Sequence, residues 1–531
     1  MAPVGLWLGV LALAGLAAAA LLARDGRERA AAMSLALLLA ALLVAADNWD
    51  TARFGELRSN PGALVAALAA LGVLVAALAT AFVRYPWAFA LVAIAALPFR
   101  VSIDVGGETS NLLVPLYVVL AAGVAAAAYR AGRSRVHESG PSGLVLWARR
   151  GFAAVIVLYA IQAGYSDDFS SALEVMSFFL APFAILFVLL SSLRWSPQLV
   201  RAALAILVAE GIAFALIGFG QYATRELFWN DKVIAGNEVH SWFRVNSLFW
   251  DPNIFGRYLA VTIIGLTAVV AWARRTQTAL LAAGVALVLL LALALTFSQS
   301  SMVALIAGLA VVAALRWSVG WTATAVAGLA LIAVVAVLSG ASGTDFGSDS
   351  IEAETSGRAG LISGGIDLAE EQPIVGHGSG GFEDTFRERF GGGQGVSVVS
   401  HTEPITVAAE QGVIGLIVYV GFLAAASAAL LEGVGRLVPG LGGPRKADAV
   451  GLGAPDWVQA GAWTLGGART AAIAAFAAMA VHSLAYAAFF TDPITWVVIA
   501  VGLALAGERA TATATAPEPL PPKPARAQAS G

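Results

Sequence analysis

The sequence predicts an all-α, polytopic integral membrane protein. Of its 531 residues, 59% are hydrophobic and only 12% are charged, whereas about a quarter of an ordinary soluble chain is charged. The apolar residues fall into runs that approach ~20 residues, the length that a helix needs to cross a bilayer, and many are small enough for close helix packing. This composition excludes a soluble globular protein and a disordered protein. It also excludes a nucleic-acid binder, for which a net charge of -3 offers no basic field.

Glycine, proline or charged residues separate the apolar runs and so delimit the helices. Basic residues follow the first run instead of preceding it, so we expect a retained helix and not a secretory signal. Some runs are short, and the expected number of transmembrane helices is therefore about 12–15. The fifteen candidate spans lie near residues 4–23, 30–46, 63–83, 85–98, 111–129, 151–164, 174–192, 198–219, 253–272, 279–296, 300–315, 320–338, 411–431, 470–488 and 493–507.

The basic residues orient these spans. The connections that follow odd-numbered spans, together with the C-terminal tail, hold 21 of the 31 Lys and Arg residues. Cytoplasmic connections are enriched in Lys and Arg, so this set is predicted to be cytoplasmic and the N-terminus to lie outside. The expected location is the bacterial cytoplasmic membrane.

The predicted organisation has five parts. They are N-terminal transmembrane helices (1–197), central helices with an outer loop at 221–252 (198–338), a large extracytoplasmic loop with short helices (339–408), C-terminal helices with a cytoplasmic loop at 433–467 (409–510), and a low-complexity tail predicted to be disordered (511–531). In the large loop, the four-residue spacing of Phe382, Phe386 and Phe390 predicts an amphipathic helix. This helix is expected to lie on the membrane or to cap a site.

The outer loop 221–252 has two interpretations. Arg244 and Arg257 flank an Asp251-Pro252-Asn253 turn, and outward-facing arginines are natural phosphate ligands. Alternatively the segment is an interfacial anchor, in which Arg257 extends to the membrane surface beside an aromatic belt. The aromatic residues of that belt would be Trp242, Phe243, Phe249, Trp250 and Phe255.

Three histidines are predicted to face outward: His240, His377 and His401. Histidine is the side chain best suited to take a proton near neutral pH, although a lone histidine is more often structural. A histidine with several arginines at the outer surface suits a lipid diphosphate, because the arginines hold the leaving group while the histidine deprotonates an acceptor hydroxyl. Cysteine is absent, which excludes a Cys nucleophile and thiolate metal sites.

Three motifs resemble the O-antigen ligase and polymerase superfamily, over roughly residues 200–430. His401 and Thr402, followed nine residues later by Gly412-Val413-Ile414-Gly415, resemble its His-[Asn/Ser/Gln]-x9-Gly-x-x-Gly signature. Residues 373–382 resemble its Pro-x-x-Gly-x-Gly segment, downstream of Arg358. Residues 244–253 resemble its Arg-x-x-(Gly/Ser)-x-(Phe)-x-x-Pro-Asn stretch.

The resemblance implies a GT-C-like membrane glycosyltransferase that moves a glycan from an undecaprenyl diphosphate carrier to an acceptor at the outer face of the membrane. Inversion at the anomeric carbon, with no metal and no cofactor, is implied as well. His401 matches the proposed general base, and Arg244 and Arg358 match the proposed diphosphate ligands. The implied partners are the lipid-linked glycan, a glycan, lipid, protein or wall-polymer acceptor, and membrane lipids.

Two positions depart from the family pattern. Thr402 stands where the family has Asn, Ser or Gln, and Gln299 stands where it often has Arg. Gln299 carries no charge, so Arg257 or Arg358 is expected to compensate. Supporting roles at the site are assigned to Gln299, Asn253, His377 and Glu403.

Three alternatives remain open. A polymerase needs the same donor chemistry and differs only in its acceptor. A transferase that uses a polyprenyl monophosphate sugar would place carboxylates in the first outer loop, where Asp47 and Asp50 stand. A transporter would place ionisable residues near the bilayer midplane, where Glu210 and His482 are the candidates.

Overall fold

The structure is a computed structural model that describes residues 3–105, 108–133, 143–239, 242–317, 320, 322, 358–391, 400, 402–434 and 456–514. Within these residues, twelve helices are long and apolar enough to cross a membrane, and two shorter apolar helices accompany them.

The elements are numbered here in chain order. The helices are α1 (Val4–Leu22), α2 (Gly26–Asp47), α3 (Ala52–Ser59), α4 (Pro61–Arg84), α5 (Pro86–Ala96), α6 (Val114–Arg133), α7 (Gly143–Gln162), α8 (Phe169–Glu174), α9 (Ala181–Ser191), α10 (Pro197–Thr224), α11 (Asp231–Val239), α12 (Pro252–Trp272), α13 (Thr276–Leu295), α14 (Gln299–Arg316), α15 (Arg358–Glu371), α16 (Phe382–Phe390), α17 (Glu403–Leu431), α18 (Asp456–Ser483) and α19 (Pro493–Ala514). A π-helical turn, Val175–Leu180, joins α8 to α9 in one continuous span. Strands β1 (Val101–Val105) and β2 (Glu108–Leu112) form an antiparallel pair.

The predicted helical membrane fold is confirmed. The twelve long and two short helices coincide with fourteen of the fifteen predicted spans, and the remaining span, 320–338, lies outside the described residues. Three details differ from the prediction. The β1–β2 pair and the short helices α3 and α11 were not expected, and α19 continues to Ala514, into the segment predicted to be disordered. The residues after 514 lie outside the described part.

Arginines on the predicted cytoplasmic side close the ends of neighbouring helices. Arg149 donates to the carbonyl of Leu21 in α1, and Arg469 donates to that of Leu430 in α17. Arg130 donates to the carbonyl of Phe82 near the end of α4, and Arg316 donates to that of Ala271 near the end of α12. The last carbonyls of a helix lack intrahelical partners and carry a partial negative charge, so guanidinium donors stabilise them. These C-termini therefore lie on one basic side, in agreement with the predicted alternation.

Aromatic side chains join α7, α17 and α19 in the core. The rings of Phe152 and Trp496 stack with their centroids 3.7 Å apart. Phe422 of α17 packs beside both rings, and each of the three side chains is almost fully buried. Elsewhere, α12 packs against α13, α14 and α18. These contacts hold α17 and α19 against α7, and hold α12 against α13, α14 and α18.

The large outer loop forms a small cap on α17. As predicted, the spacing of the three phenylalanines produces a helix, α16, and Arg387 pairs with Glu383 at 2.5 Å along it. Phe382 and Phe386 are buried with Leu368 of α15 and Ala409 of α17. The apolar face of α16 therefore covers protein, which favours the capping interpretation over a position on the membrane surface.

Candidate functional site

Arg244 is held at the outer ends of α12 and α13. The side-chain amide of Asn237 in α11 donates to the Arg244 carbonyl and accepts from its backbone N–H, at 3.0 and 2.9 Å. The guanidinium Nε donates to the carbonyl of Thr296 at 3.0 Å, and one terminal nitrogen donates to Asn253 Oδ1 at 3.3 Å. The residue is half-buried. Asn253, for which the sequence predicted a supporting role, therefore contacts Arg244 directly.

A buried chain of hydroxyl groups extends from Asn253 to His482. Ser298 Oγ donates to Asn253 Oδ1 at 2.8 Å and lies 2.8 Å from Ser301 Oγ. Ser301 Oγ is in turn 3.2 Å from Nε2 of His482. All four side chains are at most 5% exposed. His482, a candidate for a transporter midspan residue, instead supports the turn that positions Arg244.

Arg257 is not an interfacial side chain. It is 2% exposed and forms an ion pair with Asp492, which precedes α19 and is 1% exposed. The expected extension of Arg257 to the membrane surface is therefore wrong. Because Asp492 neutralises its charge, Arg257 is better suited to organising the site than to holding a phosphate alone.

Arg100, which follows α5, was missed by the sequence analysis. Burial, together with the like charge of Arg257, lowers the pKa of its guanidinium, while Asp492 acts in the opposite direction. The part of the chain that the structure describes provides no hydrogen bond or ion pair to this guanidinium. Arg100 is half-buried and can contribute a second cation beside Arg257 to an anion site. Arg100, Arg244 and Arg257 are called the outer arginine cluster below.

Tyr486 completes the surroundings of this cluster. Its ring lies 5.7 Å from the Arg257 guanidinium carbon, and burial raises the pKa of its phenol. Asp492 and Tyr486 were also missed. A signal for Asp492 was present, because Asp492-Pro493 repeats the Asp251-Pro252 pattern, and each aspartate caps the helix that begins at the following proline.

The two glycine motifs form one interlocked structure. The backbone N–H groups of His377 and Gly378 donate to the carbonyls of Ala409 and Glu410 in α17, at 2.9 and 2.8 Å. In return, Val413 N–H donates to the carbonyl of Pro373 at 2.8 Å. These bonds require a break in the helix, which occurs at Gly412 with φ 63° and ψ −163°, a conformation that only glycine adopts readily.

Side chains reinforce this interlock. Oxygens of the buried Glu410 carboxylate accept from the backbone N–H groups of Gly380 and Phe382 at 2.9 and 3.3 Å. Gln162, at the end of α7, donates to the carbonyls of Val375 and Gln411. His377 lies close to the carbonyl of Leu368, 3.1 Å from its Nε2. His377 therefore has a structural role in this loop.

The predicted base, His401, lies outside the described residues, but both of its neighbours are fixed. Ser400 and Thr402 are buried, and the Ser400 hydroxyl donates to the Thr402 carbonyl at 2.9 Å. Glu403 accepts from the backbone N–H of Phe489 at 3.0 Å and interacts electrostatically with Arg257. The start of α17 is thus anchored beside the outer arginine cluster.

The other predicted site residues are less closely associated with the outer arginine cluster. Arg358 begins α15, and its side chain lies outside the described part. Gln299 begins α14 with its side chain exposed, whereas the adjacent Ser298 and Ser300 face the buried network. His240 also lies outside the described residues. Among those described, no group of three or more His, Asp or Glu residues is arranged to hold a metal ion.

The interfacial-belt alternative is wrong for three of its aromatic residues. Phe243, Phe249 and Phe255 are at most 9% exposed, and Phe249 stacks on Phe255 with centroids 5.3 Å apart. The loop folds back over the helix ends, so these rings pack on protein instead of lipid.

Glu210, the other transporter candidate, accepts a hydrogen bond from the Tyr258 hydroxyl at 2.8 Å in the adjacent α12.

Comparison with known proteins agrees with the motifs. Residues 283–420 match the family described as O-Antigen ligase. This segment contains the glycine-rich segment, His401, Gly412 and Arg358, whereas Arg244 and Arg257 precede it. No curated protein matches the chain. The match confirms the predicted resemblance to the O-antigen ligase superfamily over residues 283–420.

Proposed function

We propose that this protein transfers a glycan from a polyprenyl diphosphate carrier to an acceptor hydroxyl at the outer face of the cytoplasmic membrane. One observation carries the proposal. Glu403, in the first turn of α17 and two residues after His401, accepts a hydrogen bond from Phe489 and interacts electrostatically with Arg257 of the outer arginine cluster. In this proposal the arginines would hold the phosphates and His401 would act as the base, the two functions that glycan transfer from a diphosphate requires.

The arginines would stabilise the leaving group. Guanidinium groups offer paired N–H donors to phosphate oxygens and keep their charge at any physiological pH. As the bond between the anomeric carbon and the diphosphate oxygen breaks, negative charge accumulates on the diphosphate. Fixed cations that face this charge lower the barrier, because they need no reorganisation during the reaction. Arg244 is positioned by three protein groups and Arg100 adds a second cation.

His401 would act on the acceptor. Its imidazole takes the proton from the acceptor hydroxyl while the hydroxyl oxygen bonds to the anomeric carbon. Attack from the face opposite the departing diphosphate inverts that carbon. The products are the glycosylated acceptor, the polyprenyl diphosphate and a protonated histidine. The same steps serve a lipid, protein, glycan or wall-polymer acceptor, so the proposal covers a ligase and, as its alternative, a polymerase.

Substitution of histidine tests this proposal. We expect His401→Ala to lower glycan transfer by about 10²–10⁴-fold, the usual contribution of a positioned base, with unchanged size-exclusion behaviour. The measurement is product formation by the purified protein supplied with a polyprenyl diphosphate glycan. His377→Gln is the matched variant, because the glutamine amide can still bond the Leu368 carbonyl, and it should keep most activity.

A third variant distinguishes diphosphate-dependent transfer from the alternative that uses a polyprenyl monophosphate sugar. Asp50→Asn should retain transfer, since the proposal gives the first outer loop no role. Loss of transfer in Asp50→Asn with normal transfer in His401→Ala would overturn the proposal and favour a carboxylate-dependent monophosphate transferase.

A further inference from the structure

A large groove lies on the side opposite the outer arginine cluster. It has a volume of about 760 Å³ and runs between α10, α12, α18 and α19, within the range of ~300–1,000 Å³ usual for ligand sites. Its walls consist mainly of Ala, Gly, Val and Leu side chains, among them Leu204, Gly265 and Ala468. An apolar groove of this size in a membrane protein suits hydrocarbon chains.

Basic residues line one end of this groove. Arg201 lies in the second turn of α10. Arg274 and Arg275 lie in the connection between α12 and α13. All three are exposed. The partly exposed Trp272 flanks them, in keeping with the preference of tryptophan for the membrane interface. The positively charged end is the one predicted to face the cytoplasm.

The length of the groove matches one leaflet. Along α12 the lining runs from Val261 to Ala273, a rise of about 18 Å at ~1.5 Å per residue. Half of a typical hydrocarbon core is about 15 Å. A lipid whose head lies at Arg201 and Arg275 would therefore place its chains along the groove as far as the bilayer midplane.

We infer that this groove binds an anionic phospholipid of the cytoplasmic leaflet. The phosphate contacts Arg201, Arg274 and Arg275, and the acyl chains occupy the apolar walls. Basic pockets between transmembrane helices on the cytoplasmic side are suited to anionic head groups. A polyprenyl donor is a poorer fit, because its diphosphate would lie at the opposite membrane surface and leave the arginines without an anion.

Lipid retention by the full-length protein tests this inference. The protein is stripped of lipid in detergent, incubated with cardiolipin, phosphatidylglycerol or phosphatidylcholine of the same acyl chains, and analysed by native mass spectrometry. We expect preferential retention of the anionic lipids. Arg201→Gln combined with Arg275→Gln should reduce that preference by about five-fold for each arginine. Arg24→Gln, an exposed arginine on the same side but outside the groove, should have no effect.

A groove-filling variant provides the second measurement. Ala468→Phe places an aromatic ring among the groove walls and should lower the retention of every lipid. If that variant does not fold, the surface arginine variants still decide the question. Equal retention of phosphatidylcholine and anionic lipids would overturn the inference. So would retention of a polyprenyl lipid that Ala468→Phe abolishes and the arginine substitutions leave unchanged. Neither result bears on glycan transfer, which is measured separately.

Discussion

Arg244 shows how a surface loop can hold a charged side chain in one position. A long arginine side chain loses considerable rotamer entropy when it is fixed, and here Thr296 and Asn253 each accept a hydrogen bond from the guanidinium that offsets this cost. Asn237 holds the backbone of the same residue. A snorkelling anchor would not need such contacts. The arrangement therefore favours recognition of a ligand with defined geometry.

Replacement of Arg244 by lysine should weaken donor binding. Lysine keeps the charge but loses the planar fork that contacts Thr296 and Asn253, so we expect the apparent donor affinity to fall by about tenfold, or ~1.4 kcal/mol. Transfer is measured over a range of donor concentrations. Arg225→Lys is the control, because Arg225 is exposed in the same loop and stacks only on aromatic rings. Unchanged donor affinity in Arg244→Lys would assign Arg244 to anchoring.

The Arg257–Asp492 pair should behave as a structural unit. Asp492→Asn can still cap α19 but leaves Arg257 buried without a countercharge, at an expected loss of about 3–5 kcal/mol in stability. Thermal unfolding in detergent reports this loss. The double variant Arg257→Met with Asp492→Leu should recover a large part of it. If Asp492→Asn and Arg257→Gln are both normally stable and only Arg257→Gln loses donor binding, Arg257 would be assigned to phosphate binding.

Sequence reasoning identified Arg244, Asn253 and Glu403 because each lies beside a recognisable turn or helix start. It missed Arg100, whose significance depends on Arg257 and Asp492, residues more than 150 positions away. Contacts between residues so far apart in the chain leave no local sequence pattern from which they could be predicted. The assignment of Arg257 to phosphate binding stays a prediction, and its buried partner was visible only in three dimensions.

At the scale of elements, the break in α17 is the feature that hydropathy could not predict. The apolar residues that follow Gly412 predict a membrane helix, but neither they nor the preceding Glu410 and Gln411 indicate a break at this position. The break exists because the loop 373–382 donates to and accepts from the helix backbone at this point. By contrast, the spans themselves were predictable, since a run of apolar residues of bilayer length has few structures available to it.

Gly412→Ala should therefore impair the site. A Cβ there would lie 2.4 Å from backbone atoms of Ile374, and the backbone conformation is itself unfavourable for alanine. We expect a loss of about 1–3 kcal/mol from the conformation alone, with reduced glycan transfer. Gly421→Ala in the same helix is the control, because nothing lies near its Cβ and alanine is a better helix former. Equal stability and transfer in both variants would contradict this account of the break.

The whole molecule has a separate set of arginines at each of its two faces. Arginines that close helix ends lie on one side, and the outer arginine cluster with α15 and α16 lies on the other. The natural absence of cysteine makes this orientation directly measurable, because a single introduced thiol is the only reactive one.

A membrane-impermeant maleimide should label Glu388→Cys in intact cells. Gln277→Cys, in the first turn of α13, should be labelled only after the membrane is permeabilised. Both positions are exposed, so access and not burial decides the result. The opposite pattern would reverse the orientation and remove the site from the outer face.

The hydrogen bonds between α7 and the glycine motifs also determine when the site can form during synthesis of the chain. Gln162 bonds carbonyls that lie 213 and 249 residues later in the chain. The first half of the protein is thus synthesised well before its partners emerge from the ribosome. The proposed site can be completed only after α17 has been inserted, so a nascent chain that has not reached this point would hold no complete site with which to bind a lipid-linked donor.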